Sequence, residues 1–288
     1  MSRKLIFFEN IRTINSHNKR HNAGTETFKM GINHFTDMTT EEFTKNYVRN
    51  NFVWKVSQKQ ENASDNLSWF KKTVNWYQEK IPVKNQGKGC RSCWCFTATG
   101  LIEYEFYFRT RQIVELSAQE LLDCTSKEYG CAMGWTQSAF EYIKHNGIHY
   151  DRDYPYNETN PRKGKYCKRD YISEPRPKIY IKKIKSVKRK ESKIYKKLLL
   201  HPLKIAIYVE PKKFQHYKSG YLTAEDCPTG HVNHAVIMLG AMKASDGTPI
   251  WYLRNSWGTK WGINGHFKLQ MGVNTCNLLE RNALYIEM

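Results

Sequence analysis

The sequence predicts an α+β protein with a helix-rich first part, a strand-rich last third and a functional site where the two meet. The helical prediction depends on spacing, because residues typical of a buried face recur every three or four positions after Cys93. These residues are Trp94, Thr97, Leu101, Tyr104 and Phe108. Apolar runs at 203–209, 235–239 and 250–253 predict strands, and Asp246-Gly247 is typical of a hairpin turn between the last two.

Composition bounds the class of protein. With 288 residues and 40% hydrophobic content, the chain can bury a large core in one two-lobed domain or two small ones. No stretch approaches the length of a membrane span. Eight cysteines indicate an oxidising compartment, a metal site or catalysis, yet the chain opens Met1-Ser2-Arg3-Lys4 without an apolar signal segment. We therefore expect an N-terminal part to be missing.

The first 68 residues differ in character from the rest. Phe7, Ile11 and Ile14 predict an amphipathic helix over 3–18, and 31–37 alternates like a strand. Residues 48–68 are polar, and they predict a linker that carries glycosylation sequons at Asn62 and Asn66. A third sequon begins at Asn157.

Cys93 lies where the glycine-rich loop 86–92 runs into the predicted helix, with Ser92 as the candidate N-cap. The unpaired N–H groups at a helix N-terminus favour a thiolate over a thiol, so Cys93 is a candidate nucleophile. His234 follows Cys93 by 141 residues, and Asn255 precedes the motif Ser256-Trp257-Gly258. A neighbouring imidazole can ionise a thiol, and a third polar group can orient the imidazole.

The segments 86–97, 232–236 and 254–262 resemble the active-site segments of the papain family of cysteine proteases. The resemblance runs from about Arg3 to the C-terminus and is closest to a cathepsin L-like proenzyme. It implies a papain-like two-lobed fold, with a helical lobe at about 75–183, a β-barrel-like lobe at about 184–288 and an active-site cleft between them. Residues 69–288 would form the peptidase domain.

The same resemblance implies that 1–68 is an inhibitory prosegment and linker. Two prosegment motifs of the family match residues here: Arg3, Phe7, Asn10, Ile14 and Asn18 in the first, and Gly31, Asn33, Phe35 and Asp37 in the second. The family's upstream helix is absent, so we expect weakened inhibition. The mature enzyme would begin between Asn66 and Val74. We expect falling pH to release the prosegment by protonating carboxylates such as that of Asp37.

By resemblance, Cys93 is the nucleophile, His234 the acid and base, and Asn255 the residue that orients His234. Trp257 would cover the bond between His234 and Asn255, and Gln86 would donate to the oxyanion. Substrate-binding residues implied by the resemblance are Gly134, Trp135, Thr136, Ala206, Val232, Asn233 and Arg281. Arg281 would form the floor of the main specificity pocket, which should still accept apolar side chains. Either the guanidinium lets the pocket accept Asp or Glu as well, or Glu280 or solvent already satisfies it and the pocket is merely shortened.

Six cysteines allow about 15 pairings, and spacing alone leaves the choice open. The family pairing implies Cys90–Cys131, Cys124–Cys167 and Cys227–Cys276. Cys95 is then a small buried side chain beside the nucleophile. A zinc site formed by Cys90, Cys93, His231 and His234 is an alternative by spacing, but it leaves the other motifs unexplained, so we expect no metal and no cofactor.

Three positions depart from the family pattern. The loop 86–93 is one residue longer, Arg91 replaces a glycine, and Met133 replaces another glycine in the substrate-binding loop. Arg91 and Met133 are expected to crowd the cleft. These departures leave two hypotheses. The first is an active endopeptidase that cleaves proteins or peptides, and the rival is a catalytically weakened homologue that acts as a binding or structural protein.

Segment 162–197 holds 16 Lys or Arg and three acidic residues, and so supplies +13 of the formal net charge of +19. One interpretation is a solvated face whose lysine stems cover the interleaved isoleucines. The other is a site for glycosaminoglycans or other polyanions. The segment has no nucleic-acid-reading motif, so we do not expect a nucleic-acid partner. The disulfides and the resemblance together favour a lysosomal or extracellular location.

Overall fold

The computed structural model describes residues 2–48, 67–125, 130–157, 167, 176–227 and 230–288. Its N-terminal segment, residues 2–48, contains α1 (Arg3–Asn22), β1 (Phe28–Met30) and α2 (Thr40–Tyr47). The helix predicted from residue 3 is confirmed, and it begins there because Ser2 Oγ accepts a hydrogen bond from the Leu5 N–H at 3.3 Å.

The strand predicted over 31–37 is wrong. Asn33 and Thr36 close a turn, because the Asn33 N–H donates to Thr36 Oγ1 at 2.9 Å and the Thr36 N–H donates to the Asn33 carbonyl at 3.1 Å. The strand lies just before it, at Phe28–Met30. β1 pairs antiparallel with β5 (Tyr217–Gly220), which attaches the N-terminal segment to the rest of the protein.

The helical part consists of α3 (Cys93–Thr110), α4 (Ala118–Cys124) and α5 (Thr136–Asn146). Every residue of α3 from Cys93 to Glu105 is buried, so this helix is the centre of its lobe. Ser92 occupies the N-cap position as predicted, although its side chain makes no capping bond. Instead, Ser92 Oγ and the Tyr156 hydroxyl share a hydrogen bond of 3.0 Å.

The strands form an antiparallel sheet in the order β3-β9-β4-β6-β7-β8, with β2 (Val74–Asn75) paired to β6. Their bounds are β3 (Lys183–Val187), β4 (Leu203–Ile207), β6 (His234–Lys243), β7 (Pro249–Arg254), β8 (His266–Gln270) and β9 (Ala283–Glu287). Helices α6 (Glu191–Leu198) and α7 (Pro211–Phe214) accompany them. The three predicted strands are confirmed. Within the described residues the barrel-like lobe is an open sheet, with β3 and β8 at its edges.

The sheet separates two apolar cores. Along β6, Val236 and Met238 belong to the core beside the N-terminal segment, whereas Ile237 and Leu239 belong to the core around α3. This follows from the period of two in a strand, which sends successive side chains to opposite faces. Both lobes therefore pack through β6. No helix among the described residues is long and apolar enough to cross a membrane.

The disulfides are those that the resemblance implied: Cys90–Cys131, Cys124–Cys167 and Cys227–Cys276. Because Cys90 is bonded to Cys131, it cannot ligate a metal, and the zinc alternative fails. Cys93 and Cys95 remain as thiols. Cys95 is fully buried in the core around α3, as expected for a small apolar side chain.

Candidate active site

Cys93 and His234 line the same cavity. Cys93 is the first residue of α3, so it lies at the positive end of the helix dipole, where an anion is favoured. His234 is the first residue of β6 and enters the cavity from the sheet. The structure thus brings together two predicted site residues that are far apart in the sequence.

Asn255 holds the His234 ring. His234 Nε2 lies 2.7 Å from Asn255 Oδ1, and the Ser256 N–H donates to the same oxygen at 2.8 Å. Since an amide oxygen can only accept, Nε2 carries the proton, and Nδ1 is the nitrogen left to exchange a proton with a thiol. Burial lowers the pKa of His234 to about 4, against the raising effect of the bond to Asn255. The imidazole of His234 is therefore neutral above about pH 4 in this structure.

Trp257 covers the histidine. Its ring centroid lies 4.9 Å from that of His234, and the indole is fully buried. On its other sides Trp257 meets aromatic residues of the N-terminal segment, with centroids at 5.7 Å for Phe35 and 5.2 Å for Phe43. Water is thereby kept from the pair formed by His234 and Asn255. The covering role expected of Trp257 fits this geometry.

Gln86 is fully buried beside the loop that carries Asn255. The Ser256 hydroxyl donates to Gln86 Oε1 at 2.9 Å, which orients the amide. Gln86 Nε2 donates to the Cys90 carbonyl at 2.8 Å and to the Tyr47 carbonyl at 3.4 Å. A main-chain carbonyl of the N-terminal segment therefore already lies at this donor.

Arg91 lines the cavity and also binds the N-terminal segment. Its Nε and Nη2 donate to the Lys45 carbonyl at 3.1 and 2.8 Å, and Nη1 donates to the Ala132 carbonyl at 3.5 Å. The guanidinium thus binds a carbonyl near the C-terminal end of α2, where the helix dipole favours a cation. Arg91 and Met133 both line the cavity, in agreement with the expected crowding.

Most of the expected substrate-binding residues line this cavity: Gly134, Trp135, Thr136, Ala206, Val232 and Asn233. Only glycine fits at position 134, because a Cβ there would meet the Trp94 ring at 2.2 Å. Trp257 and Arg281 are not among the residues that line it. Arg281 instead stacks on Trp135, with Cζ 5.4 Å from the ring centroid.

Lys204 lines the cavity, and sequence reasoning missed it. It stands two positions before Ala206 in β4, so the two side chains share a face of the sheet. A lysine inside an otherwise apolar strand was the signal that could have revealed it.

The fold and the site together define a class: a two-lobed protease fold whose cleft is covered by an N-terminal segment. Residues 70–286 match the papain family cysteine proteases, and residues 1–43 match the cathepsin propeptide inhibitor domain (I29). The chain belongs to the papain family of cysteine proteases. Its N-terminal segment is accordingly a prosegment of the cathepsin type.

Individual relatives agree with this assignment. The chain is 36% identical to "Cysteine proteinase 3" of Solanum lycopersicum over 285 residues, which cover 95% of this chain and 75% of that protein. It is 32% identical to "Cathepsin J" of Mus musculus over 284 residues, covering 93% and 80% respectively.

Solved structures show the same proenzyme fold. Digestive procathepsin L 3 from the larval midgut of Tenebrio molitor matches with a TM-score of 0.80 and 29% identity, covering 99% of this chain and 91% of that chain. The stem bromelain precursor matches with a TM-score of 0.81 and 30% identity, with the same two coverages.

Proposed function

We propose that this chain is the latent form of a cysteine endopeptidase that hydrolyses peptide bonds with Cys93 as the nucleophile. The observation that carries the proposal is that Cys93 and His234 line one cavity while Asn255 Oδ1 holds His234 Nε2 at 2.7 Å. Residues 1–68 would be the prosegment and linker, and residues 69–288 the peptidase domain. Residues 49–66, with the sequons Asn62 and Asn66, lie outside the described part.

In the proposed reaction, His234 Nδ1 takes the Cys93 proton, and the thiolate attacks the carbonyl carbon of the substrate. A C–S bond forms, and the carbonyl π electrons move onto the oxygen. Gln86 Nε2 and the Cys93 N–H donate to that oxyanion, and each such donor is typically worth about 3 kcal/mol. The negative charge on the oxygen builds up as the C–S bond forms, so these donors favour the transition state over the bound substrate.

The tetrahedral intermediate then collapses. The C–N bond breaks as the imidazolium gives its proton to the leaving amine, and a thioester on Cys93 remains. His234 next removes a proton from a water molecule, which attacks the thioester carbon. The C–S bond breaks, the acid product leaves, and the thiol and imidazole are restored.

The prosegment contacts account for latency in this proposal. The Tyr47 carbonyl lies 3.4 Å from Gln86 Nε2, where a substrate oxygen would be bound. Arg91 ties the Lys45 carbonyl to the cavity wall, and Phe35 and Phe43 pack on Trp257. Activity then requires removal of the prosegment, by cleavage between 66 and 74.

A second candidate is the catalytically weakened homologue that acts as a binding protein. It is favoured by the engagement of Gln86 Nε2 with the Cys90 carbonyl at 2.8 Å, a contact inside the lengthened loop. If that bond persists after the prosegment leaves, one donor to the oxyanion is weakened.

Labelling separates the two candidates. The acid-matured, reduced protein is treated with a thiol-directed peptidyl epoxide, and the adduct is mapped by mass spectrometry. Rapid labelling at Cys93, and none at Cys95, supports the protease. Correctly folded mature protein that stays unlabelled would refute it and leave the binding homologue.

The basic segment supports a further part of the proposal, a polyanion partner. In its described portion, 176–197, Ile179, Ile181 and Ile194 are buried, while most lysines and arginines between them are exposed. Two of these charges, Lys183 and Lys185, lie on β3, an edge strand of the sheet. Edge lysines also prevent pairing with other chains, which is the solvated-face interpretation. We propose glycosaminoglycan binding here, and a lysosomal or secreted location in which such polyanions occur.

Heparin binding should depend on these charges. We expect the protein to elute from a heparin column only well above physiological salt. At physiological ionic strength exposed charges still interact over about 8 Å, so more salt is needed to screen them from the heparin. Replacing six residues by glutamine should move elution to much lower salt: Lys182, Lys183, Lys185, Lys188, Arg189 and Lys190. The control replaces six exposed lysines on other faces. Equal elution of both variants would favour the solvated face.

A further inference from the structure

Strand β4 presents a lysine to the cavity beside the proposed nucleophile. All five residues of Leu203–Ile207 are buried. Leu203, Ile205 and Ile207 belong to an apolar core, whereas Lys204 and Ala206 point to the opposite face and line the cavity with Cys93 and His234. The ammonium therefore belongs to the cavity and not to the solvated surface.

Lys204 is without a partner there. Its side chain is 7% exposed, and its ammonium makes no hydrogen bond or ion pair with any residue in the described ranges. Burial, together with a smaller contribution from the charge of Arg281 and against the raising effect of Cys93, lowers the pKa of Lys204 to about 8. A buried ammonium is costly unless a carboxylate pairs with it. An anion bound in the cavity would therefore be stabilised by pairing with this ammonium.

The neighbouring charges do not supply that anion. Arg281, which does not line the cavity, stacks on the lining residue Trp135 and brings a second cation, not an anion, to this side of the cavity. The carboxylate of Glu280 is turned to other groups: it accepts from the Val232 N–H at 3.0 Å, and it lies 3.4 Å from His231 and 4.0 Å from Arg281. Of the cavity's lining residues, none is an Asp or a Glu.

We propose that this cavity is a substrate subsite for a glutamate side chain, with Lys204 as the residue that pairs with its carboxylate. The inference rests on the proposed protease function. The methylene groups would pack against Trp135, Ala206 and Val232, which are among the apolar residues that line the cavity. Lys204, rather than Arg281, is the specificity-determining residue in this assignment.

The strand register selects glutamate over aspartate. Ile207 of β4 lies opposite His234 of β6, and Lys204 lies opposite Ile237, three positions farther along. At about 3.3 Å per residue, Lys204 starts roughly 10 Å from the catalytic end of the strand. The longer side chain of glutamate covers more of this distance.

The test compares peptides that differ only at the residue bound in this cavity: glutamate, aspartate, glutamine or leucine. Active enzyme is first counted by epoxide labelling of Cys93, and kcat/KM is then measured for each peptide. We expect wild type to favour glutamate over glutamine by about tenfold or more. Lys204→Met should abolish that ratio and improve the leucine peptide, because it removes an unpaired charge from an apolar pocket.

Three further variants keep the test decisive. Arg281→Met should retain the ratio, and so should Lys243→Met, which changes an exposed lysine at the far end of β6. Lys204→Gln repeats the test with a polar side chain in case the methionine variant folds poorly. A wild type that favours glutamine over glutamate, or a ratio lost only with Arg281→Met, would overturn the assignment. Absence of both labelling and hydrolysis would instead refute the protease function itself.

Discussion

Replacing Cys93 by alanine is expected to lower kcat/KM of the mature protein by at least about 10⁴-fold, because the other described thiol, Cys95, is fully buried in the core around α3 and cannot reach a substrate. His234→Ala should cause a loss of the same order, since the thiol then lacks its base and the amine its proton donor. Both residues line the cavity, so neither change disturbs a distant element.

Asn255→Ala should cost less, about 10²-fold. Asn255 acts through His234: it accepts from Nε2 at 2.7 Å and so fixes the ring, but a freed imidazole can still ionise the thiol. The loss should appear in kcat rather than KM. A loss at Asn255 as complete as at Cys93, in variants with unchanged melting temperature, would contradict this ordering.

Lowering the pH from 7 to 5 is expected to weaken prosegment docking by about 20-fold, through histidine rather than carboxylate. When the prosegment is docked, burial of its residue His34, aided by Lys260 and opposed by Asp37, lowers the pKa of His34 from 6.5 to about 4. Below pH 6.5 the released prosegment binds a proton that the docked form excludes. Docking is therefore at full strength above 6.5 and loses about 2 kcal/mol by pH 5.

Other ionisable groups of the prosegment contribute to the pH dependence of docking to different extents. Burial also lowers the pKa of His17, whose Nε2 lies 2.9 Å from the Phe28 carbonyl, so this group acts in the same direction. The hydrogen bond from Arg3 lowers the pKa of Glu42 to about 2, so that ion pair weakens only as pH falls below about 4.5. Asp37, the carboxylate named from the sequence, is exposed and gives Arg3 only its backbone carbonyl, at 2.9 Å. The structure favours the histidines.

The measurement is the rate of processing of the full chain as a function of pH. His34→Phe keeps an aromatic ring against Phe35 but cannot titrate, so the midpoint of the profile should move to lower pH. His145→Gln is the control, because His145 is 70% exposed on α5. A profile that is the same for wild type and His34→Phe would show that His34 is not part of the acid response.

The sequence by itself determined the family, the disulfide pairing by resemblance, and the candidates Cys93, His234 and Asn255. These features could be predicted because they depend on local sequence patterns: a helix that starts at a cysteine, apolar strands, and short motifs. The same approach failed at 31–37, where alternation suggested a strand. There the Asn33 backbone N–H bonds the Thr36 hydroxyl, and the resulting turn outweighs the alternation.

Only the tertiary structure decided what each site residue meets. The sequence does not reveal that Gln86 donates to Tyr47, that Arg91 binds the Lys45 carbonyl, or that the half-buried His34 lines a cavity with Trp257. Nor does it place Lys204 in the cleft and Arg281 outside its lining. The physical reason is that burial, charge pairing and pKa depend on contacts between segments tens to hundreds of residues apart, and these distances exist only once the two cores have packed on the sheet.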